Sequence, residues 1–507
     1  MKKQTTSRRD FLKYAMLTSG AAFLASCQPA LQPTPQIIKE TVEVPVEVKS
    51  TVEVTKVVQV QVQAPAATNG YGYVEWHPSE PVEIEFWGHN FNNSAGEGAQ
   101  DRRTTDAFEK MYPEIKVKRV NNDWGGTVGP LEKVAAAFSA GSGMPDIFIM
   151  HGLPDVCAMN GWSMGVTEDM MPAADRQRLG YKELRFLTLQ GDTRMVDLGA
   201  IIDGYLLFYR RDILEAAGVK PEDLGDYVED AIPVFKELTK VDSTGAIVQA
   251  GIKLTETSWP AMAIQAGSDF FNKETKKFDW ANSDPIIYAA QLWRDLHNVH
   301  KVTSLETPAP HSGLPDGLCA MGQNGSWTGR WLKVNSPDAD VRIRKTLKFK
   351  PATKKGTTGM LYSIGLGINP QIKDQNKMKA AIEYWKYAYY NTANQADLGF
   401  ENFGALTLNS APDYKAMDAD VPPTGKISPG QMTAEGLYTL SDDYSNMAER
   451  IDIGQLWNED YLEPIWTAML QEIVKTNGDL KAIIAKYQDQ MQANWDENHW
   501  YVPGVTL

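Results

Sequence analysis

Cysteine is scarce: three in 507 residues. That excludes a disulfide-rich scaffold and a multi-cysteine metal site. Basic residues are outnumbered, with 50 Lys plus Arg against 64 Asp plus Glu and a net charge of -14. An acidic chain without a basic block is a poor nucleic-acid binder. Long apolar runs are missing too. The stretch from Tyr14 to Ala25 has 12 residues, whereas a bilayer span needs roughly 20. There is no Walker A pattern and no His-Glu-x-x-His pair. His297 and His300 share a helix face without a third ligand, so packed or solvated side chains are expected there. Gly96-Glu97-Gly98 lacks the third glycine of a dinucleotide loop, and Asp418 with Asp420 lacks calcium-loop spacing. No cofactor or metal is expected. What is present is a chain with 43 % hydrophobic and 22 % charged residues. It is long enough for two or three domains with large cores.

The first 26 residues carry five bases (Lys2, Lys3, Arg8, Arg9, Lys13) and one acid, Asp10, ahead of the apolar stretch. This is the layout of an export signal, which is removed, and not of a transmembrane helix. Ser7-Arg8-Arg9-Asp10-Phe11-Leu12-Lys13 resembles the twin-arginine signal. Leu24-Ala25-Ser26-Cys27 resembles a bacterial lipobox, which implies that Cys27 is lipidated and becomes the new N-terminus. Two acyl chains make a stable anchor. The expected location is the outer face of the cytoplasmic membrane. Losing five bases and one acid leaves a mature net charge of -18. Cys157 and Cys319 then remain, and two separate buried thiols are expected.

Residues 28–80 have the composition of a spacer. Pro29, Pro33, Pro35, Pro45 and Pro65 interrupt a Val-rich imperfect repeat from Val42 to Val62. Its period-two alternation is a strand pattern, but no returning partner strand stands beside it. An extended, solvated stalk is expected. About 50 residues at ~3.3 Å each reach on the order of 165 Å at full stretch.

A globular part is expected from Pro81. Val82, Ile84 and Phe86 alternate as a strand ending at Trp87; Ala99 to Tyr112 has helical patterning, stopped by Pro113. Ile115, Val117 and Val120 form a second strand, Pro130 to Ala140 a second helix, and Asp146 to Met150 a short buried strand. This alternation predicts a parallel sheet covered by helices. Ligands then bind beyond the carboxyl ends of the strands. Those ends hold Trp87, His89, Asn90 and Asn92, then Asn121 to Trp124, then His151, Asp155 and Trp162. Flat rings suit the C–H face of a sugar, and amides and acids suit its hydroxyls.

The 14 Trp divide by pattern. Trp293, Trp385, Trp457, Trp466, Trp495 and Trp500 fall in helical patterns, where packing is expected. Met378, Ala381, Ile382, Trp385 and Tyr389 share one helical face, as do Leu480, Ile483, Ile484, Tyr487 and Met491. Trp76 stands at the spacer end and Trp280 in a polar turn. Trp87, Trp124, Trp162, Trp259, Trp327 and Trp331 are left as ligand-contact candidates.

Several segments resemble the extracellular solute-binding protein family 1, the carbohydrate-type binding proteins of ABC importers. They are Phe108-Glu109-Lys110 to Val117, Ala137-Phe138-Ser139-Ala140-Gly141-Ser142-Gly143 to Ile147, and Gly204 to Asp212. Ala320-Met321 to Asn324-Gly325-Ser326-Trp327, Ala380 to Tyr390 and Gly404-Ala405-Leu406 complete the set. Arg210 departs from the family's usual Asn. The resemblance implies an α/β fold: a two-lobe periplasmic-binding-protein-like clamp of type II. Each lobe would have a mainly parallel sheet flanked by helices, with a helical C-terminal part. It implies residues 81–202 and 351–403 in one lobe and 203–350 and 404–507 in the other. Crossings would fall near Asp203, Lys350 and Gly404. Trp327, Gly325 and Tyr205 would line the cleft; Ser363, Gly365 and the Glu401-Asn402-Phe403-Gly404 turn are weaker transfers, and Asp203, at a crossing, is a further candidate. The implied partners are a carbohydrate and ABC permease subunits, with no covalent chemistry and a monomeric chain. An exported glycoside hydrolase, using paired carboxylates, and a stalked carbohydrate-binding adhesin are the competing readings. A polyamine or a sugar phosphate also remains open as ligand, because Asp123, Asp155 and Asp203, or Arg102, Arg103 and Arg330, stand near the candidate loops.

Overall fold

The computed structural model describes residues 68–498, apart from 90, 93–95, 123–130, 151–152, 182–184, 190–191, 199–200, 203–204, 326, 345, 351–364, 403–404, 407–458 and 477. The signal segment, Cys27 and the stalk up to residue 67 lie outside the described residues, as do Trp457 and Trp500.

The first sheet grows from β1 (Val82–Gly88). Alternation buries Ile84 and Phe86 completely. β2 (Ile115–Asn121) and β3 (Ile147–Ile149) run parallel to β1 on either side. The crossovers are the helices Glu97–Met111 and Leu131–Ala140, as the apolar spacing predicts. A hairpin follows, β4 (Arg185–Leu189) with β5 (Asp192–Asp197). The two-residue strand β6 (Ile201–Ile202) then leads to β7 (Tyr205–Arg210).

β7 opens a second sheet. After the small hairpin β8 (Lys240–Val241) and β9 (Ile247–Gln249) come β10 (Lys253–Leu254), β11 (Met321–Gly325) and β12 (Val341–Arg344). The order is β10-β11-β7-β12. The chain then returns. β13 (Leu366–Ile368) adds antiparallel to β3, so the first sheet reads β13-β3-β1-β2. Last, β14 (Ala405–Leu406) pairs antiparallel with β6, Ala405 opposite Ile202. The result is a two-lobe α/β clamp, as expected. The sheets differ, however. The first is mainly parallel; in the second, β7 is antiparallel to both β11 and β12, and only β10 with β11 is parallel. The direction follows from connectivity. β7 leaves the β6 end of the lobe, and β11 finishes there, with Gly325 opposite Tyr205.

Packing follows the helical faces. Helix Gln375–Tyr390 buries Ala381, Trp385 and Tyr389 against the first lobe, with Phe108 and Tyr112 in the same cluster. The second lobe is filled by Trp259, Trp280, Trp293 and Trp466. Its C-terminal helices, Glu459–Lys475 and Leu480–Asn498, pack on the helix Asp284–Asn298.

The globular part starts before Pro81. The Asn69 side chain accepts the backbone N–H groups of Tyr71 and Gly72, each at 3.0 Å, and closes a turn. Tyr73 is 3 % exposed and meets Tyr390 at 4.9 Å between ring centres. Its hydroxyl lies 2.9 Å from that of Tyr112, which donates to Glu383 at 2.8 Å. His77 pairs with Glu114. The spacer reading ran too far because averaged composition hides three aromatic residues, Tyr71, Tyr73 and Trp76, just after the Pro- and Val-rich repeat.

Candidate ligand-binding site

Both sheets end in residues that the sequence singles out. In the first lobe, Gly88 lies opposite Asn121 at the carboxyl ends of β1 and β2. A Cβ on Gly88 would stand 2.5 Å from the Phe91 ring, so glycine lets Phe91 fold back over the strand end. The Phe91 N–H donates to Asn121 Oδ1 at 2.9 Å, and the Asn122 N–H to the Gly88 carbonyl at 2.8 Å. His89 and Asn122 are buried in this shelf. Asp155 is buried in the first turn of the helix Pro154–Met159, after β3. Asn90, Trp124 and His151 lie outside the described residues.

Trp87 does not stand free at a loop. It lies inside β1, half-buried against the core, and its Nε1–H donates to Glu85 Oε1 at 2.6 Å. Burial alone would raise the Glu85 carboxyl. The Lys118 ammonium and the Trp87 indole outweigh it and hold the group below its ordinary value. The ring is pinned to the sheet by its neighbour two residues back, a strand contact that the loop-end reading overlooked.

Trp259 has no exposed face in the structure. It sits in the helix Ser258–Gln265 with 0 % exposure. Phe270 and Trp280 pack edge-on to it, at 5.3 and 5.4 Å. Trp280, read as a turn residue, is itself buried and donates to the Phe270 carbonyl at 2.8 Å. This aromatic cluster is assembled across 22 residues of chain, beyond the reach of local periodicity. Trp162 is half-buried and packs near Phe138.

The second lobe keeps its candidates together. Tyr205 and Gly325 are register partners beside the β6–β14 ribbon. Trp327 opens the helix Trp327–Asn335 immediately beyond β11 and is half-buried. A Cβ on Gly325 would meet its Nε1 at 2.5 Å, so the bare glycine is the floor on which the indole lies. The same helix packs on the first-lobe helix Thr392–Asn402, which ends at the predicted turn. Tyr205 and Asn402 are placed by their backbone alone; Asp203 and Phe403 lie outside the described residues.

Sequence reasoning missed His311. Its ring stands 5.3 Å from that of Trp327 and 5.5 Å from that of Trp331, the latter edge-on. The short helix Pro310–Gly313 carries it there by packing on β11, where a Cβ on Gly322 would meet Pro310 at 2.5 Å. Burial lowers the His311 pKa. No local spacing marks a histidine 16 residues before its ring partner.

No group of three or more His, Cys, Asp or Glu that could hold a metal occurs among the described residues. His297 is buried, with Nδ1 2.8 Å from the Trp293 carbonyl. Cys157 and Cys319 are both buried, and burial pushes the Cys319 thiol up to about 12. No helix among the described residues is long and apolar enough to cross a membrane.

The family model of the bacterial extracellular solute-binding proteins matches residues 93–389, more than half of the chain. The chain belongs to that family. An arabinooligosaccharide-binding protein of Bacillus subtilis is 23 % identical over 290 residues, 55 % of this chain. The match spans 64 % of that relative's length. Among solved structures, the MalE maltose/maltodextrin-binding domain of Bdellovibrio bacteriovorus, bound to maltotriose, superposes with a TM-score of 0.60 at 15 % identity. It covers 82 % of this chain and 100 % of its own. UgpB of Mycobacterium tuberculosis, in complex with glycerophosphocholine, gives 0.59 at 15 % identity, covering 83 % and 100 %. At such identities the likeness shows the fold.

Proposed function

We propose that this solute-binding protein is the exported receptor of an ABC importer that captures a sugar or oligosaccharide. Cys27 anchors it by lipid to the outer face of the cytoplasmic membrane after twin-arginine export. Residues up to about 67 are its stalk. The first lobe comprises residues 69–202 and 351–403, the second 203–350 and 404–507. The β6–β14 ribbon serves as a hinge about which the lobes close on ligand. The closed form of the monomer is read by the permease, and no covalent chemistry takes place. The observation that carries this reading is the position of Trp327. Its ring lies over Gly325, opposite Tyr205, where the chain passes between sheets. An aromatic face held there suits the C–H face of a sugar ring.

The test is a thermal-shift screen of the lipid-free chain from residue 68, followed by calorimetry. The ligands are malto-, manno- and arabino-oligosaccharides, spermidine, sugar phosphates and glycerophosphocholine. A ligand at 100 times its Kd adds about 2.7 kcal/mol of stability. A shift with an oligosaccharide and no cleaved product after long incubation is expected. Cleavage products would install the hydrolase reading; a shift with spermidine alone would overturn the ligand class.

Two substitutions sharpen the test. Trp327→Ala should weaken sugar binding at least tenfold, about 1.4 kcal/mol, with the fold retained. Gly325→Ala forces the indole off its floor and should weaken binding several-fold by calorimetry. Unchanged affinity in both variants would remove this ring from the site.

A further inference from the structure

We infer that His311 is a ligand-contacting, specificity-determining residue of this cleft. Its ring holds Trp327 in place, and its buried Nδ1 meets a hydroxyl of the captured carbohydrate. The inference rests on the capture reading above and goes beyond it by naming a polar group that reads the sugar.

Three observations converge. First, the imidazole packs against two indoles of one helix, Trp327 at 5.3 Å and Trp331 at 5.5 Å, which restrict its freedom before any ligand arrives. A group held in this way loses little freedom on binding. Second, Nδ1 is buried and has no hydrogen-bond partner among the described residues. Packing alone needs a ring but no ring nitrogen. A buried polar atom left unmatched is costly, and native proteins retain few. Third, the neighbouring ring is Trp327, at the proposed platform. A sugar stacked on that indole presents its hydroxyls at the rim of the ring, where the restricted imidazole can exchange a hydrogen bond with one of them.

The chemistry suits a neutral polyol. Burial favours the uncharged imidazole, whose nitrogens are one donor and one acceptor. A hydroxyl can match either role. A site that spends a buried polar group on one hydroxyl rejects analogues that lack it or place it elsewhere. His311 therefore contributes discrimination between oligosaccharides that differ in hydroxyl configuration, while Trp327 contributes affinity for ring faces in general.

The experiment compares wild type, His311→Phe, His311→Gln and Trp327→Ala in the lipid-free mature chain. Titrations use maltotriose, mannotriose and arabinotriose, followed by calorimetry. Phe keeps a flat ring and removes the nitrogen; Gln restores a hydrogen-bonding group. For the sugar that binds wild type best, His311→Phe should lose at least tenfold, and its preference over the other two should narrow. His311→Gln should recover to within about threefold of wild type. Wild-type affinity and preference in His311→Phe would overturn the inference, as would an equal loss in the Phe and Gln variants. Should His311→Phe fail to fold, imidazole ¹⁵N spectra of wild type decide. The His311 Nδ1 resonance should move on saturation with the preferred sugar, and an unmoved resonance overturns the assignment. If wild type binds none of the three sugars, the capture reading fails first and takes this inference with it. If wild type and Trp327→Ala differ but His311→Phe does not, the inference alone fails.

Discussion

Tyr73→Ala is expected to destabilise the first lobe by about 3–5 kcal/mol, the range for removing a buried aromatic ring. Tyr73 is 3 % exposed and packs against Tyr390 from outside the sheet. Its loss empties that space and takes the Tyr112 hydroxyl's neighbour away. Glu383 is the end of the same chain of hydrogen bonds, and burial raises its pKa. Tyr73→Phe keeps the ring and deletes one hydrogen bond, so it should cost about 1 kcal/mol. The contrast separates packing from polarity. Urea unfolding of the chain from residue 68, followed by circular dichroism, makes the measurement. A Tyr73→Ala loss below 1 kcal/mol would show that residues 69–77 lie on the lobe without supporting it. A large loss would show that residues 69–77 are an integral part of the first lobe.

The second large effect is on pH dependence. His297 lies buried in the helix Asp284–Asn298, and its pKa falls to about 4. Burial is the main cause, and the nearby Lys253 ammonium adds to it; the Trp293 carbonyl and Glu306 oppose. The unfolded histidine titrates near 6.5. The folded value is depressed, so the unfolded state binds the proton first as pH falls. The stability is fully present above about pH 6.5, drains away toward pH 4, and changes no further below it. The gap corresponds to about 3 kcal/mol. Carboxylates titrate in the lower part of the same window. The measurement is therefore the difference between wild type and His297→Gln across pH 4 to 7.5. The variant should lose its dependence between pH 6.5 and 5. Parallel curves would show that the imidazole takes up its proton without resisting, and would sink the prediction.

Local pattern carried much of this protein. Alternating Val82, Ile84 and Phe86 marked β1, and the 3.6-residue spacing of Ala381, Trp385 and Tyr389 marked a buried helical face. Both are legible because side chains in regular elements repeat with the period of the backbone. Gly325 and Trp327 were legible as neighbours, being two residues apart, and the fold brings Tyr205 opposite Gly325. The sequence alone therefore determined the α/β class, the two-lobe expectation and the closeness of Gly325 to Trp327. Tertiary structure decided the remainder. It set the direction of β7, which depends on where the chain enters the second lobe. It buried Trp259 beneath Phe270 and Trp280, and tied Trp87 to Glu85. It docked Tyr73 on Tyr390, and it set His311 against Trp327 and Trp331. Each of these depends on which side chains pack together in three dimensions. A ring's exposure is a property of its neighbours, and neighbours distant in the chain are chosen only when the whole core closes.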